Sequence, residues 1–207
     1  MEKTKKILDA ALKLFVEYGF HGTPTSKIAE EAGVANGTLF NKFKTKDDLI
    51  VALFVDIELR MSKFVEENSK EAISLKDTFK EFYFASLYWI IDNKMEFRFV
   101  QQFKTSPFLS LIAPGEIEKA HKPICELLQK GIDAGIVKPL PVDYLVMLIS
   151  SLIYGLNDYL IKNEFSKPKQ HAIISDTFDI MWDMITWFLF KFKLEWLVNL
   201  YNNTKKD

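Results

Sequence analysis

Apolar positions near the start of the chain recur at steps of one, three and four: Ile7, Leu8, Ala11, Leu12 and Phe15 form a single stripe. That is the period of an amphipathic helix. Thr4 suits its N-cap and Gly19 its end. A second short helix is predicted from Thr25, whose hydroxyl fits an N-cap, burying Ile28, Ala29 and Ala32 and closing at Gly33. After a tight turn, Asn36 to Lys42 reads as a third short helix with Leu39 inward and Phe43 closing the unit. Thr45-Lys46-Asp47-Asp48 has the form of a capping box with Asp in the Glu/Gln place. It opens a long helix through Leu49, Leu53, Ile57 and Phe64.

Five further helices are predicted, at 75–92 after a Ser74 cap, 94–104, 115–133, 142–162 and 170–193. The breaks fall at Ser106-Pro107, Pro114-Gly115, Gly135, Pro139 with Pro141, and Pro168, where chain chemistry interrupts helices. The tail from Leu194 to Tyr201, with Trp196, Leu197 and Leu200, is expected to pack rather than fray. No stretch alternates with period two, so the expected class is all-α with about nine helices. Tyr144 to Ile161 is the one candidate membrane span, but Ser150, Ser151, Asn157 and Asp158 interrupt it. A mostly apolar helix covered on both faces accounts for it better.

Composition narrows the chemistry. The single Cys125 excludes an intramolecular disulfide framework and a cysteine-based zinc site, and His21, His121 and His171 are scattered, so no metal or cofactor is expected. With no apolar run of signal-peptide form at the start, a cytoplasmic location is expected. The net charge of -1 does not suggest a nucleic-acid binder, yet its distribution does: Ala32 to Lys46 contains no acidic residue and gathers Lys42, Lys44 and Lys46 with Asn36, Thr38 and Asn41. There is no phosphate loop after a strand, no nucleophile elbow, no His-Glu-x-x-His helix and no organised carboxylate pair, so an enzyme is not expected.

A helix, a glycine turn and a short polar helix form the helix-turn-helix layout, whose second helix lies in the major groove. Asn36 and Asn41 can pair with adenine, Thr38 can meet a thymine methyl or a phosphate, and Gly37 permits close approach. The span Ile7 to Leu49 also resembles the DNA-binding domain of the TetR family of bacterial regulators. Ala10-Ala11, Leu14-Phe15, Gly19-Phe20, Thr25, Ile28-Ala29, Ala32-Gly33-Val34, Gly37-Thr38-Leu39, Phe43 and Lys46 to Leu49 carry the resemblance. It implies that Thr25, Ser26, Lys27 and Lys46 approach phosphates, and that Asn36, Gly37, Thr38, Phe40, Asn41 and Lys42 carry recognition. Two departures stand out: Ala35 replaces a serine often found there, and Phe40 a usual tyrosine. Phe40 therefore reads either as a DNA contact lacking a hydroxyl or as a core aromatic.

The resemblance implies a helix-turn-helix domain at 1–48 and a helical effector-binding and dimerisation domain at 49–207. Its last two long helices would pair with those of a second copy, with Leu152, Trp187 and Phe188 as interface candidates. A homodimer implies a palindromic double-stranded operator. Trp89, Phe97, Phe99, Phe103, Phe108, Met147 and Tyr154 are candidate lining for a small apolar effector, each with plain core packing as the competing reading. Arg98, between Phe97 and Phe99, reads as a surface ion-pair residue rather than an anion site. The expected function is a repressor released from its operator by that effector. The alternative is a helical interaction protein, or an activator of the same fold without ligand-released repression.

Overall fold

The computed structural model describes residues 2–70, 72–113 and 115–187. Among them are nine α-helices: α1 Glu2–Gly22, α2 Thr25–Glu31, α3 Asn36–Lys42, α4 Lys46–Asn68, α5 Leu75–Asp92, α6 Lys94–Lys104, α7 Glu116–Asp133, α8 Val142–Asn163 and α9 Lys167–Ile185. A short 3-10 helix, Pro107–Leu111, follows α6. The all-α class holds, with a single isolated antiparallel bridge, Val137 to Thr186, among the described residues.

Local chemistry explains most of the ends. The Thr45 box forms as its spacing requires: the Asp48 N–H donates to Thr45 Oγ1 at 3.0 Å and the Thr45 N–H to Asp48 Oδ2 at 2.9 Å. Ser74 caps α5, its hydroxyl oxygen accepting from the Asp77 N–H at 3.1 Å while the hydroxyl donates to Asp77 Oδ2 at 2.6 Å. Gly33, at φ 64°, closes α2 in a Schellman turn, with Gly33 N–H to Glu30 O at 3.0 Å and Val34 N–H to Ala29 O at 2.9 Å.

Several expected ends differ: α1 continues through a kink at Gly19 to Gly22, and α9 starts at Lys167 rather than at 170. Thr4 lies inside α1, which begins at Glu2. Thr25 is the first helical residue of α2 rather than its cap; Pro24 takes the cap position in extended conformation, with no side-chain cap bond. The last long helix stops at Ile185, because Thr186 is extended and the Lys138 N–H takes the Ile185 carbonyl at 2.8 Å while Lys138 Nζ donates to Met184 O at 2.6 Å. The expected continuation to 193, the Leu194 to Tyr201 tail and Phe188 lie outside the described residues.

The chain divides into two compact units. The first combines Met1–Glu67 with Tyr88–His121, so it is larger than the helix-turn-helix segment 1–48. Aromatic packing is the reason. Phe99 of α6 lies 6.3 Å from Phe15 and 5.6 Å from Phe20 of α1, centroid to centroid, while Phe103 stacks on Phe54 of α4 at 4.1 Å and 8°. Burying a phenyl ring contributes about 1.5–3 kcal/mol, so this cluster fastens α1, α4 and α6 together. Arg60 adds ion pairs to Asp56 and Glu96 at 2.9 and 3.2 Å.

The second unit combines Asn68–Leu87 with Lys122–Asp207. There α5 and α9 run antiparallel: Phe79 meets Trp182 at 5.4 Å, Tyr83 meets Phe178 at 5.6 Å and Phe84 meets His171 at 5.2 Å. By length and composition α8 is apolar enough to cross a membrane, with mean hydropathy 1.4, but it turns Leu145, Ile149, Ile153, Leu156 and Asn157 into this unit.

Candidate nucleic-acid interface

The helix-turn-helix is assembled from a break and a turn. At Gly19 the backbone has φ 72° and ψ 170°, a region open essentially to glycine, and this kink redirects α1 toward Thr23. Thr23 is fully buried, and its hydroxyl proton is shared between Leu14 O at 3.1 Å and Gly19 O at 2.8 Å. Pro24 then starts α2, and the Gly33 turn leads through extended Ala35 into α3. Sequence reasoning missed Thr23, because a threonine among loop residues does not announce which carbonyls it will meet. The Ala35 departure shows as a cap without a side-chain hydrogen bond.

Helix α3 is anchored by one residue. Leu39 is fully buried, while Asn36, Gly37, Phe40, Asn41 and Lys42 are exposed and Thr38 is half-buried. Phe40 is 46% exposed, which removes the core reading of that side chain. The six recognition candidates therefore share one short helix, and its outward side is polar apart from Phe40. On α2, Ser26 and Lys27 are exposed and Thr25 is half-buried. Lys27 Nζ sits 3.8 Å above the Tyr18 ring, a cation–π contact that orients the ammonium, and the sequence pattern had not flagged Tyr18. Lys13 on α1 binds Glu31 on α2 at 2.6 Å; that bond holds the Lys13 amine above and the Glu31 carboxyl below their ordinary pKa values.

Lys46, at the start of α4, is half-buried, and burial lowers its ammonium pKa. With Phe20, His21, Asp47, Pro107 and Phe108 it lines a cleft of about 400 Å³. A partly desolvated ammonium beside the free amides of a helix N-terminus is chemically suited to an anion such as a phosphate.

The seven ligand-lining candidates do not fall in one unit. Trp89, Phe97, Phe99, Phe103 and Phe108 belong to the first, where all but Phe108 are buried and Phe99 and Phe103 pack against α1 and α4; Phe108 lies edge-on to Phe20 at 5.2 Å. Met147, half-exposed, and Tyr154 belong to the second. Of the interface candidates, Leu152 is half-buried on α8 and Trp187 exposed just beyond α9. Arg98 is exposed on α6. His121 meets buried Glu58 at 3.2 Å, and nearby Glu58 partly offsets the burial that lowers the Lys104 pKa. Among the described residues no three His, Cys, Asp or Glu side chains gather as a metal site.

Comparison with known proteins gives the same picture. Residues 7–53 match the family described as bacterial regulatory proteins, tetR family. The fatty acid metabolism regulator protein of Bacillus subtilis is 42% identical over 79 residues, 38% of this chain and 39% of that protein, so the matched stretch spans about two fifths of its length. A tetR family transcription regulator from Shewanella sp. PV-4 superposes with TM-score 0.80 and 29% identity over 89% of this chain and 98% of its own. The regulator FadR of Bacillus subtilis, crystallised with stearoyl-CoA, superposes with TM-score 0.69 and 25% identity over 86% of this chain and 96% of that one. With α2, the Gly33 turn and α3 set among the nine helices of the described residues, residues 7–53 form a DNA-binding domain of the tetR family of bacterial regulatory proteins, on a fold shared with tetR family transcription regulators.

Proposed function

We propose that the chain is a homodimeric, DNA-binding transcriptional regulator of the cytoplasm, a repressor that leaves a palindromic operator when a largely apolar small molecule binds. The observation that carries this reading is α3, held to its unit by buried Leu39 while Asn36, Gly37, Phe40, Asn41 and Lys42 stand exposed. Amides that read adenine and cations that hold phosphate are thus grouped on a helix narrow enough for the major groove.

Two recognition helices are needed to read half-sites about 34–36 Å apart, which a two-fold dimer supplies. The second unit offers a surface for it: α8 exposes Tyr144, Met147 and Tyr159, with small Ser151 and Gly155 between, and α9 exposes Ile180 to 64%. Such an apolar face suits a self-complementary contact. The effector class draws support from the neighbour that holds stearoyl-CoA, a molecule with a long apolar chain. Release follows from linkage: the effector favours a conformer in which the recognition helices no longer match the half-sites, and tenfold weakening needs about 1.4 kcal/mol of differential affinity. Helix α4 is the lever, carrying Lys46 at its start and bound to α6 through the Phe54–Phe103 stack.

A mobility-shift titration against the DNA upstream of the chain's own coding sequence tests this reading. Lys46→Ala should weaken binding to all sequences alike and lower the salt slope by about 1. Asn36→Ala or Asn41→Ala should relax discrimination at one base position by roughly 1–3 kcal/mol. Equal losses across operator variants for all three would contradict the assignment.

A further inference from the structure

In the second unit two buried polar side chains lack hydrogen-bond partners: the Tyr83 hydroxyl on α5 and both polar atoms of the Asn157 carboxamide on α8. Tyr83 is 2% exposed and Asn157 0%. The other buried polar side chains of that unit are satisfied locally, Ser86 by Phe82 O at 2.8 Å and Thr186 by Trp182 O at 2.8 Å. Leaving a buried donor or acceptor unpaired costs about 1–3 kcal/mol, so two such residues in one core need a reason. Burial also pushes the Tyr83 phenol pKa up, which keeps it a neutral donor.

Register brings the two to similar depth. The antiparallel pairing of α5 with α9 sets Tyr83 opposite Phe178. Helices α8 and α9 pack together and are joined by Glu164–Ser166 alone. Counting back from that link sets Asn157 level with Ile173, five residues from Phe178 and so roughly 7.5 Å along α9 at 1.5 Å rise per residue. Tyr83 has Phe178 at 5.6 Å and Phe84 at 6.3 Å, Phe79 and Leu87 lie one turn away on α5, and Trp182 packs on both Phe79 and Phe178; all but Phe84 are buried. No Asp, Glu, Lys or Arg is fully buried among the described residues of this unit, and half-buried Lys80, 5.8 Å from the Phe178 ring, already donates to Ser175 Oγ at 3.4 Å, so a charged ligand group there would have no buried counter-ion.

We propose that Tyr83 and Asn157 are the polar anchor of the effector site, and that the effector joins an apolar body to an uncharged hydrogen-bonding head group, a carboxamide or hydroxyl. The Tyr83 O–H and the Asn157 N–H groups donate to its oxygen, and the Asn157 carbonyl accepts its N–H or O–H. This rests on the ligand-responsive reading above and adds the head-group chemistry and the residues that select it.

The test is calorimetric titration of the full chain with decanamide, decanol, decanoate and decyltrimethylammonium, for wild type, Tyr83→Phe and Asn157→Leu, with operator affinity measured alongside. The neutral probes should bind at least tenfold tighter than the charged ones. Asn157→Leu should weaken decanamide at least tenfold and Tyr83→Phe about fivefold. Without ligand, Asn157→Leu should unfold at equal or higher urea concentration, since it removes an unpaired polar group. A lower urea midpoint would show that Asn157 is already paired, by an internal water for example, and overturn the proposal. No probe binding, or binding unaffected by either substitution, overturns it as well. If probes release operator but ignore both substitutions, the anchor falls and the ligand-released regulator stands. If they respond to both yet leave operator affinity unchanged, the anchor stands and ligand-released repression falls.

Discussion

Replacing Gly37 with alanine separates the folding and binding roles of α3, because the two should change in opposite directions. Gly37 is exposed inside the helix, and no protein atom lies within 4 Å of where its new methyl would stand. Nothing in the chain resists the substitution. Replacing a glycine by alanine gains about 0.5–1 kcal/mol in mid-helix, an upper bound for Gly37 in the first turn of α3, so for a chain of this size Tm should rise by up to about 1–4 °C. On DNA the same methyl occupies the space through which the backbone approaches the groove, and affinity should fall about tenfold, equivalent to about 1.4 kcal/mol. Thermal unfolding at fixed protomer concentration and fluorescence anisotropy with labelled operator measure the two effects on one sample. Gly33→Ala is the contrasting control: it also meets no neighbour, but at φ 64° the side chain is strained and stability should drop by about 1–2 kcal/mol. A higher Tm with unchanged operator affinity would show that Gly37 does not face DNA. A lower Tm would refute the helix-propensity argument itself.

Other substitutions test neighbouring links. Phe40→Tyr places a hydroxyl on an exposed ring and should tighten operator binding by about 0.5–1.5 kcal/mol without altering base preference; unchanged anisotropy would mean that the ring edge does not point at a phosphate. Thr23→Val keeps the shape but strips the shared hydrogen bond from Leu14 O and Gly19 O, and should cost about 1–3 kcal/mol in urea unfolding; a loss below about 0.5 kcal/mol would remove Thr23 from the account of the kink. Leu152→Asp and Ile180→Asp should each sediment as monomers with operator affinity collapsed, and intact dimers for both would move the interface elsewhere. Burial, reinforced by Asp143 and Glu126, raises the Cys125 thiol pKa, so alkylation at pH 8 should be slower than for an exposed thiol. Because the folded chain keeps that proton above pH 9.0, the thiol's contribution to stability should decline as pH rises from there toward the raised value; alkylation as fast as that of a free thiol would contradict the burial.

Helix order was legible without coordinates, since the determining interactions are local. Apolar spacing, the Thr45 box, the Ser74 cap and the turns at Gly33 and Gly135 each act within a few residues, and α3, α5 and α6 run over their expected spans. That the recognition candidates share one short helix was legible for the same reason. Tertiary structure decided what depends on distant partners. Phe40 could be core or surface by pattern, and only the anchoring of α3 through Leu39 turned it outward. Phe99 and Phe103 read as pocket candidates because aromatic residues suit a pocket and a core equally; contact with Phe15, Phe20 and Phe54 makes them the fastening of α6 to α1 and α4. The last helix could not be ended correctly at Ile185, because the stop comes from Lys138, 47 residues earlier in the sequence, taking its final carbonyl. Asn157 looked like an interruption in an apolar run, and only packing showed that it is fully buried without a partner. Periodicity encodes which way a side chain faces on its own helix, whereas the groups it meets there are set by chain segments that local sequence does not specify.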